Sequence, residues 1–224
     1  MVLAGIKVPD TVLVRDAIDL SRSASEPFLF NHAMRSWLFG VLLSESAERA
    51  PDAELLAVAT ILHYLGLTDR YAAENRFEVD GANAARSFLK GRGISTQQIQ
   101  VVWDAIALHT TRSIALYKEP EVAMTHSGIT ADVLGAGLDR IPQDKQGAIL
   151  AEFPRLALKT DSKSAFATSL VGSRSPPLTT SFGISAFDMS RGIHPPTLPM
   201  SSRMHHFPNR QPPDHRITHR YQRR

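Results

Sequence analysis

Four histidines stand inside apolar, helix-forming stretches: His32 in FNHAMRSW, His63 in ILHYLGLTD, His109 in AIALHTT and His126 in VAMTHSGI. A neutral imidazole offers a lone pair to a metal or a proton and titrates near physiological pH. Taken singly, each is most simply a core residue satisfied by one hydrogen bond. Together, His32, His63 and His109 would sit on three separate apolar helices, which is costly unless their polar atoms converge on something. A divalent metal is the natural object of such convergence. Imidazole suits zinc, iron, nickel or manganese, and a carboxylate such as Asp132 would complete a mixed nitrogen and oxygen site. The spacing contains no His-Glu-x-x-His pair, and the absence of cysteine excludes zinc-thiolate sites, thiol nucleophiles and a disulfide framework.

These side chains need helices to carry them, and the sequence predicts a succession of helices over residues 1–160. Asp10 stands as an N-cap before TVLVRDAIDL, and Pro27 suits the first turn of the apolar run FLFNHAMRSWLFGVLLSES. Pro51-Asp-Ala-Glu54 places acids at a helix start, with the helix running to Leu65 and Gly66 as its stop. VDGANAARSFLKGRG reads as a short helix ended by glycines, and STQQIQVVWDAIALHT opens with a Ser-x-x-Gln capping box. PEVAMTHSGITADVLGAGL and QDKQGAILAEF carry the remaining helical signals. Alternation of period two is nowhere sustained, so the expected class is all-α. On these helices Trp37 and Trp103 are expected in the core rather than stacked on substrate, and Glu78 and Asp80 are expected to cap the helix that follows them, with a place at the pocket mouth as the alternative. Arg35, one turn beyond His32, has two readings: a partner for a carboxylate near the site, or an exposed surface arginine.

The charge is uneven. Residues 1–171 hold 17 basic and 20 acidic residues, net −3, whereas residues 172–224 hold 8 and 2, net +6. The second segment has eight of the 14 prolines and five of the nine histidines, and all its cations are arginine. That composition predicts a disordered basic tail. Such a tail admits nucleic acid as a partner through counterion release, though it carries no aromatic platform for base stacking. The expected organisation is a helical extension over 1–24, a helical domain over 25–171 and the tail over 172–224. Lys7 and Pro9 interrupt what a secretory leader would need, and no apolar run reaches about 18 residues, so a cytoplasmic protein without a membrane partner is expected. Apolar surface stripes would allow a homo-oligomer.

The stretches FNHAMRSWLFG, ATILHYLGLT, RFEVDGANAARSFL, AIALHTT and PEVAMTHSGITADVLG, in that order, resemble the HD-domain superfamily, in particular its cyanamide hydratase-like branch. The resemblance covers roughly residues 25–160. It implies an HD-type helical domain in which a histidine on an early helix, a His-Asp pair at a helix end and a distant aspartate hold a divalent metal. The matching metal ligands are His32, His63 and Asp132, with zinc the first expectation and iron, nickel or manganese the alternatives. The implied chemistry is a metal-activated water attacking a small nitrile- or amide-like substrate, with His109 and His126 as the catalytic groups that move protons or orient substrate. Phosphohydrolases of the superfamily commonly carry a lysine after the pair, where this chain has Leu67. The resemblance therefore favours the hydratase-type branch over a phosphohydrolase.

The departure is Tyr64, which falls where the pair needs its aspartate. A carboxylate is ionised at pH 7, whereas a phenol in water loses its proton only at a pH of about 10 and is neutral. The phenol oxygen also lies farther from the backbone. His32, His63 and Asp132 alone would leave a divalent ion with one uncompensated positive charge. Impaired metal binding and impaired activity follow, unless the metal draws off the phenol proton to make a tyrosinate ligand. Asp69, past the glycine, is poorly placed to substitute. A non-catalytic helical binding or interaction module is the alternative to an enzyme.

Overall fold

The computed structural model describes residues 1–156, and the expected basic tail lies outside the described residues. A two-stranded antiparallel hairpin comes first, β1 (Val2–Leu3) paired with β2 (Ile6–Lys7). Two-residue strands leave no alternating pattern, so this hairpin has no signal in the sequence. Eight helices follow: α1 (Val12–Ala24), α2 (Pro27–Ser44), α3 (Ala53–Leu62), α4 (Phe77–Leu89), α5 (Thr96–Ala107), α6 (Arg112–Ala115), α7 (Pro120–Leu134) and α8 (Gln143–Glu152). Short 3₁₀ turns occupy Leu65–Leu67 and Leu138–Arg140. The described residues are thus all-α apart from the hairpin. None of their helices is long and apolar enough to cross a membrane.

Local chemistry sets the helix starts. The Thr11 hydroxyl accepts from Val14 N–H at 3.2 Å and caps α1. Asp10, expected in that role, instead pairs with Arg15 at 2.6 Å. Pro27 and Pro120 occupy the first turns of α2 and α7, where a missing N–H costs nothing. Asp52 caps α3 by accepting from the Glu54 and Leu55 amides. Ser95 and Gln98 close a reciprocal capping box on α5.

Helix α2 is the central element. Trp37 and Leu38 are fully buried and Phe39 nearly so, and α2 packs along α7 and against α3. The α2–α7 crossing is close because Gly128 has no side chain: a Cβ there would stand 2.1 Å from the Ser36 carbonyl oxygen. Helices α3, α5 and α7 pack on one another, α4 packs against α5, and α1 packs on α3. Val14, Ala17 and Ile18 of α1 belong to the same apolar core as α2 and α3. Residues 1–24 are therefore built into the bundle, although the sequence presents them as an extension.

Candidate functional site

The chain turns sharply where α3 ends. The helix stops at Leu62, His63 caps it, and Tyr64 leads into the 3₁₀ turn. Gly66 lies within that turn, and its role is close approach: a Cβ there would fall 2.0 Å from the Phe77 carbonyl oxygen. The missing side chain lets the turn seat against the start of α4 and holds His63 and Tyr64 facing inward.

His32, on the second turn of α2, is fully buried, as is His63, and His109 is nearly so, just beyond α5. Their rings cluster. The His32 and His63 ring centres are 5.2 Å apart, and those of His63 and His109 are 5.0 Å apart. Each Nδ1 is anchored: His32 to Asp132 Oδ2 at 2.6 Å, His63 to the Thr60 carbonyl at 2.7 Å, and His109 to the Ile106 carbonyl at 2.6 Å. A carbonyl or ionised carboxylate only accepts, so each Nδ1 carries the proton and donates. In a neutral ring each Nε2 is then a bare lone pair. These three Nε2 atoms are buried with no hydrogen-bond partner among the described residues.

Burial keeps the rings neutral. Desolvation lowers the His63 pKa well below the ordinary value, and the neighbouring His109 and His32 push it the same way. Desolvation brings His109 down to about 4. His32 is also lowered, chiefly by burial, which outweighs its bond to Asp132.

Asp132, on α7, anchors the cluster from behind. Arg35 grips it in a fork, Nε to Oδ1 at 2.8 Å and Nη2 to Oδ2 at 2.8 Å, and neither side chain is exposed. Arg155 adds a contact to Oδ1 at 3.1 Å and donates to the Asp132 carbonyl at 2.7 Å. Burial opposes ionisation of Asp132, but the hydrogen bonds from His32 and Arg35 overcome it and draw the pKa down to about 2. Of the two sequence readings of Arg35, the carboxylate partner is the one observed.

Tyr64 lies among the histidines, its ring centre 4.0 Å from His63, 4.9 Å from His32 and 5.8 Å from His109. With Leu29 and Phe77 it forms a small apolar cluster beside the imidazoles. Burial, and then the negative charges of Asp132 and Glu78, raise its phenol pKa above the ordinary range, so it is neutral at pH 7.

The donors fit a divalent metal in part. An imidazole anchored at Nδ1 with Nε2 bare is how metal-binding histidines are held. With metal–nitrogen bonds of about 2.0–2.1 Å, two rings sharing a zinc ion stand roughly 5 Å apart, centre to centre. The His32–His63 and His63–His109 spacings agree with that. Asp132 is poorly placed as a direct ligand, because Oδ2 already accepts from His32 and Arg35, and Oδ1 accepts from Arg35 and pairs with Arg155. Among the described residues no group of three or more His, Asp or Glu side chains stands ready as a metal-holding set.

The sequence-selected residues His32, His63, His109 and Asp132 are thus brought together, and Asp132 stands behind His32. His126 does not join the three unpartnered Nε2 atoms: its Nδ1 donates to the His109 carbonyl at 2.7 Å, and it lines a separate cavity. Glu78 and Asp80 are not N-caps, since Arg76 holds that position. Asp80 accepts from the Ala73 amide and Asn75, while Glu78 accepts from Arg76 and Thr110. Arg155 was beyond sequence reasoning, because its partner lies 23 residues away with no periodic relation. No protein-family model matches the chain. No curated protein sequence matches it significantly.

Proposed function

We propose that the domain is an HD-type, metal-dependent hydrolase or hydratase whose activity is impaired by Tyr64. The observation that carries this reading is the trio of buried, unpartnered Nε2 atoms on His32, His63 and His109. Leaving such acceptors dry costs roughly 1–3 kcal/mol each, so three of them on neighbouring rings favour a ligand that takes lone pairs. A divalent transition metal, zinc foremost, has that chemistry, and when bound it lowers the pKa of a water ligand and polarises a substrate.

The chain's own residues divide the remaining work. His32 and His63 supply nitrogen, and Asp132 fixes the His32 tautomer while contributing negative charge. His109, neutral at pH 7, offers its Nε2 either as a further nitrogen or to accept a proton. Leu29, Tyr64 and Phe77 make the surroundings apolar and tight, which suits a small neutral substrate of the nitrile or amide type. Tyr64 opposes the function twice: its phenol brings no charge at neutral pH, and its ring fills space beside all three imidazoles.

A second reading, a helical binding or interaction module without catalysis, draws support from that packing of Tyr64 and from the absence of a ready three-ligand set among the described residues. Elemental mass spectrometry of the purified full chain separates the two. About one transition metal per chain supports the enzyme reading, and a folded metal-free chain supports the module. Tyr64→Asp should tighten metal binding at least tenfold in a competition with a chelator if the resemblance assigns the motif correctly. A folded Tyr64→Asp protein that remains metal-free would overturn the assignment.

A further inference from the structure

A second site lies outside the histidine cluster. Between the end of α2, the short α6, the C-terminal half of α7 and the Leu138–Arg140 turn there is a cavity of about 300 Å³. Arg112 and Arg140 stand on its wall and no acidic side chain does. Both arginines are exposed, and among the described residues neither is in an ion pair. Arg140 makes only a long contact, 3.5 Å, to the Leu43 carbonyl. The remaining wall is largely apolar: Leu43 is buried at the base, while Leu116 and Leu134 are 40% and 71% exposed. The α7 hydroxyls compete little for a ligand, because Ser127 donates to the Ala123 carbonyl and Thr130 to those of His126 and Ser127.

The local charge sets the sign of the ligand. The C-termini of α2 and α7 both lie at the cavity, with Leu43 and Leu134 on its wall, and each helix end carries about half a negative charge. Two guanidinium groups therefore leave about one positive charge over after the helix ends are offset. A cavity at the lower end of the usual range of about 300–1,000 Å³ takes a small ligand.

We propose that this cavity binds a small amphipathic carboxylate: the anionic head engages Arg112 and Arg140, and a short apolar body lies against Leu43, Leu116 and Leu134. Guanidinium suits the head because it donates paired, parallel hydrogen bonds to a carboxylate. The site requires no metal at the histidine cluster. Its inner wall still communicates with that cluster, because His126 lines the cavity and donates to the His109 carbonyl.

The test is a titration of the full chain, ¹³C-labelled at leucine methyls, with hexanoate, and with hexanol and hexylammonium as uncharged and cationic controls. Saturable shifts at Leu43, Leu116 and Leu134 are expected with hexanoate. Arg112→Gln/Arg140→Gln should weaken binding at least tenfold; both residues are on the surface, and an unchanged methyl spectrum without ligand verifies the fold. Absence of saturable shifts overturns the proposal. Equal binding of hexanol or hexylammonium also overturns it, by showing an apolar pocket without charge selection. Unchanged affinity in the double variant does so as well, since the carboxylate would then be held by other cations.

Discussion

Acidification should destabilise this protein through its buried histidines before Asp132 takes up a proton. His109 takes up a proton near pH 6.5 in the unfolded chain but only at about 4 in the fold. Between those values the unfolded state holds the extra proton, so stability rises with pH. The contribution is complete above about 6.5, falls away as pH drops toward 4, and does not change further below that. At about 1.4 kcal/mol per pH unit, His109 alone accounts for about 3 kcal/mol. His63 and His32 are displaced in the same direction and steepen the loss. Asp132 works in a lower window: its contribution is present above the ordinary 3.8 and is lost as pH falls through about 2. Domains are commonly stable by about 5–15 kcal/mol, so the histidine losses are a large share of the total. The measurement is urea unfolding followed by circular dichroism at several pH values from about 7.5 to 4, with a chelator present so that metal release does not contribute. Around pH 5, His109→Gln should show a slope of stability against pH shallower by about 1.4 kcal/mol per unit, the signature of one missing proton. A flat profile for the parent chain, or an unchanged slope in the variant, would refute the description of His109 as a buried neutral ring.

Two glycine substitutions should have opposite effects on the melting temperature. Gly128→Ala drives a methyl into the Ser36 carbonyl at the α2–α7 crossing and should cost about 3 kcal/mol or more. Gly147→Ala, at an open position on α8 with nothing within 4 Å, should stabilise by about 0.5–1 kcal/mol; a loss of stability there would contradict the described course of α8. Arg35→Met removes the fork from buried Asp132 and should cost about 3–5 kcal/mol in chemical denaturation. Arg35→Lys should recover only part of that, because one ammonium cannot reproduce two parallel hydrogen bonds.

The all-α class was legible because helices declare themselves locally. Pro27, Asp52, Ser95 with Gln98, and Pro120 all stand at the starts that their chemistry predicts. At α1 the expected cap was off by one residue: Thr11 rather than Asp10 caps the helix, and the Asp10 carboxylate pairs with Arg15. Gly66 was read as a helix stop, yet its missing side chain serves contact with α4, a segment eleven residues on. A packing constraint between distant segments leaves no periodic trace.

The site divides along the same line. Residue type and apolar surroundings were enough to single out His32, His63 and His109, because a polar ring inside an apolar helix is conspicuous on its own, whereas Asp132 was picked out by the resemblance. Their roles depended on direction. The sequence could not show that Asp132 would spend its oxygens on His32, Arg35 and Arg155, or that three Nδ1 atoms would be anchored and three Nε2 atoms left bare. Nor could it show that His126 would bond the His109 carbonyl, since that contact joins α7 to the loop after α5. Sequence determined which side chains were available and which helices would carry them. The crossing of α2 with α7, set by the bare backbone at Gly128, and the tight turn at Gly66 decided which atoms meet. Hydrogen bonds and metal ligation act over about 3 Å, a distance that only the packed tertiary structure can set.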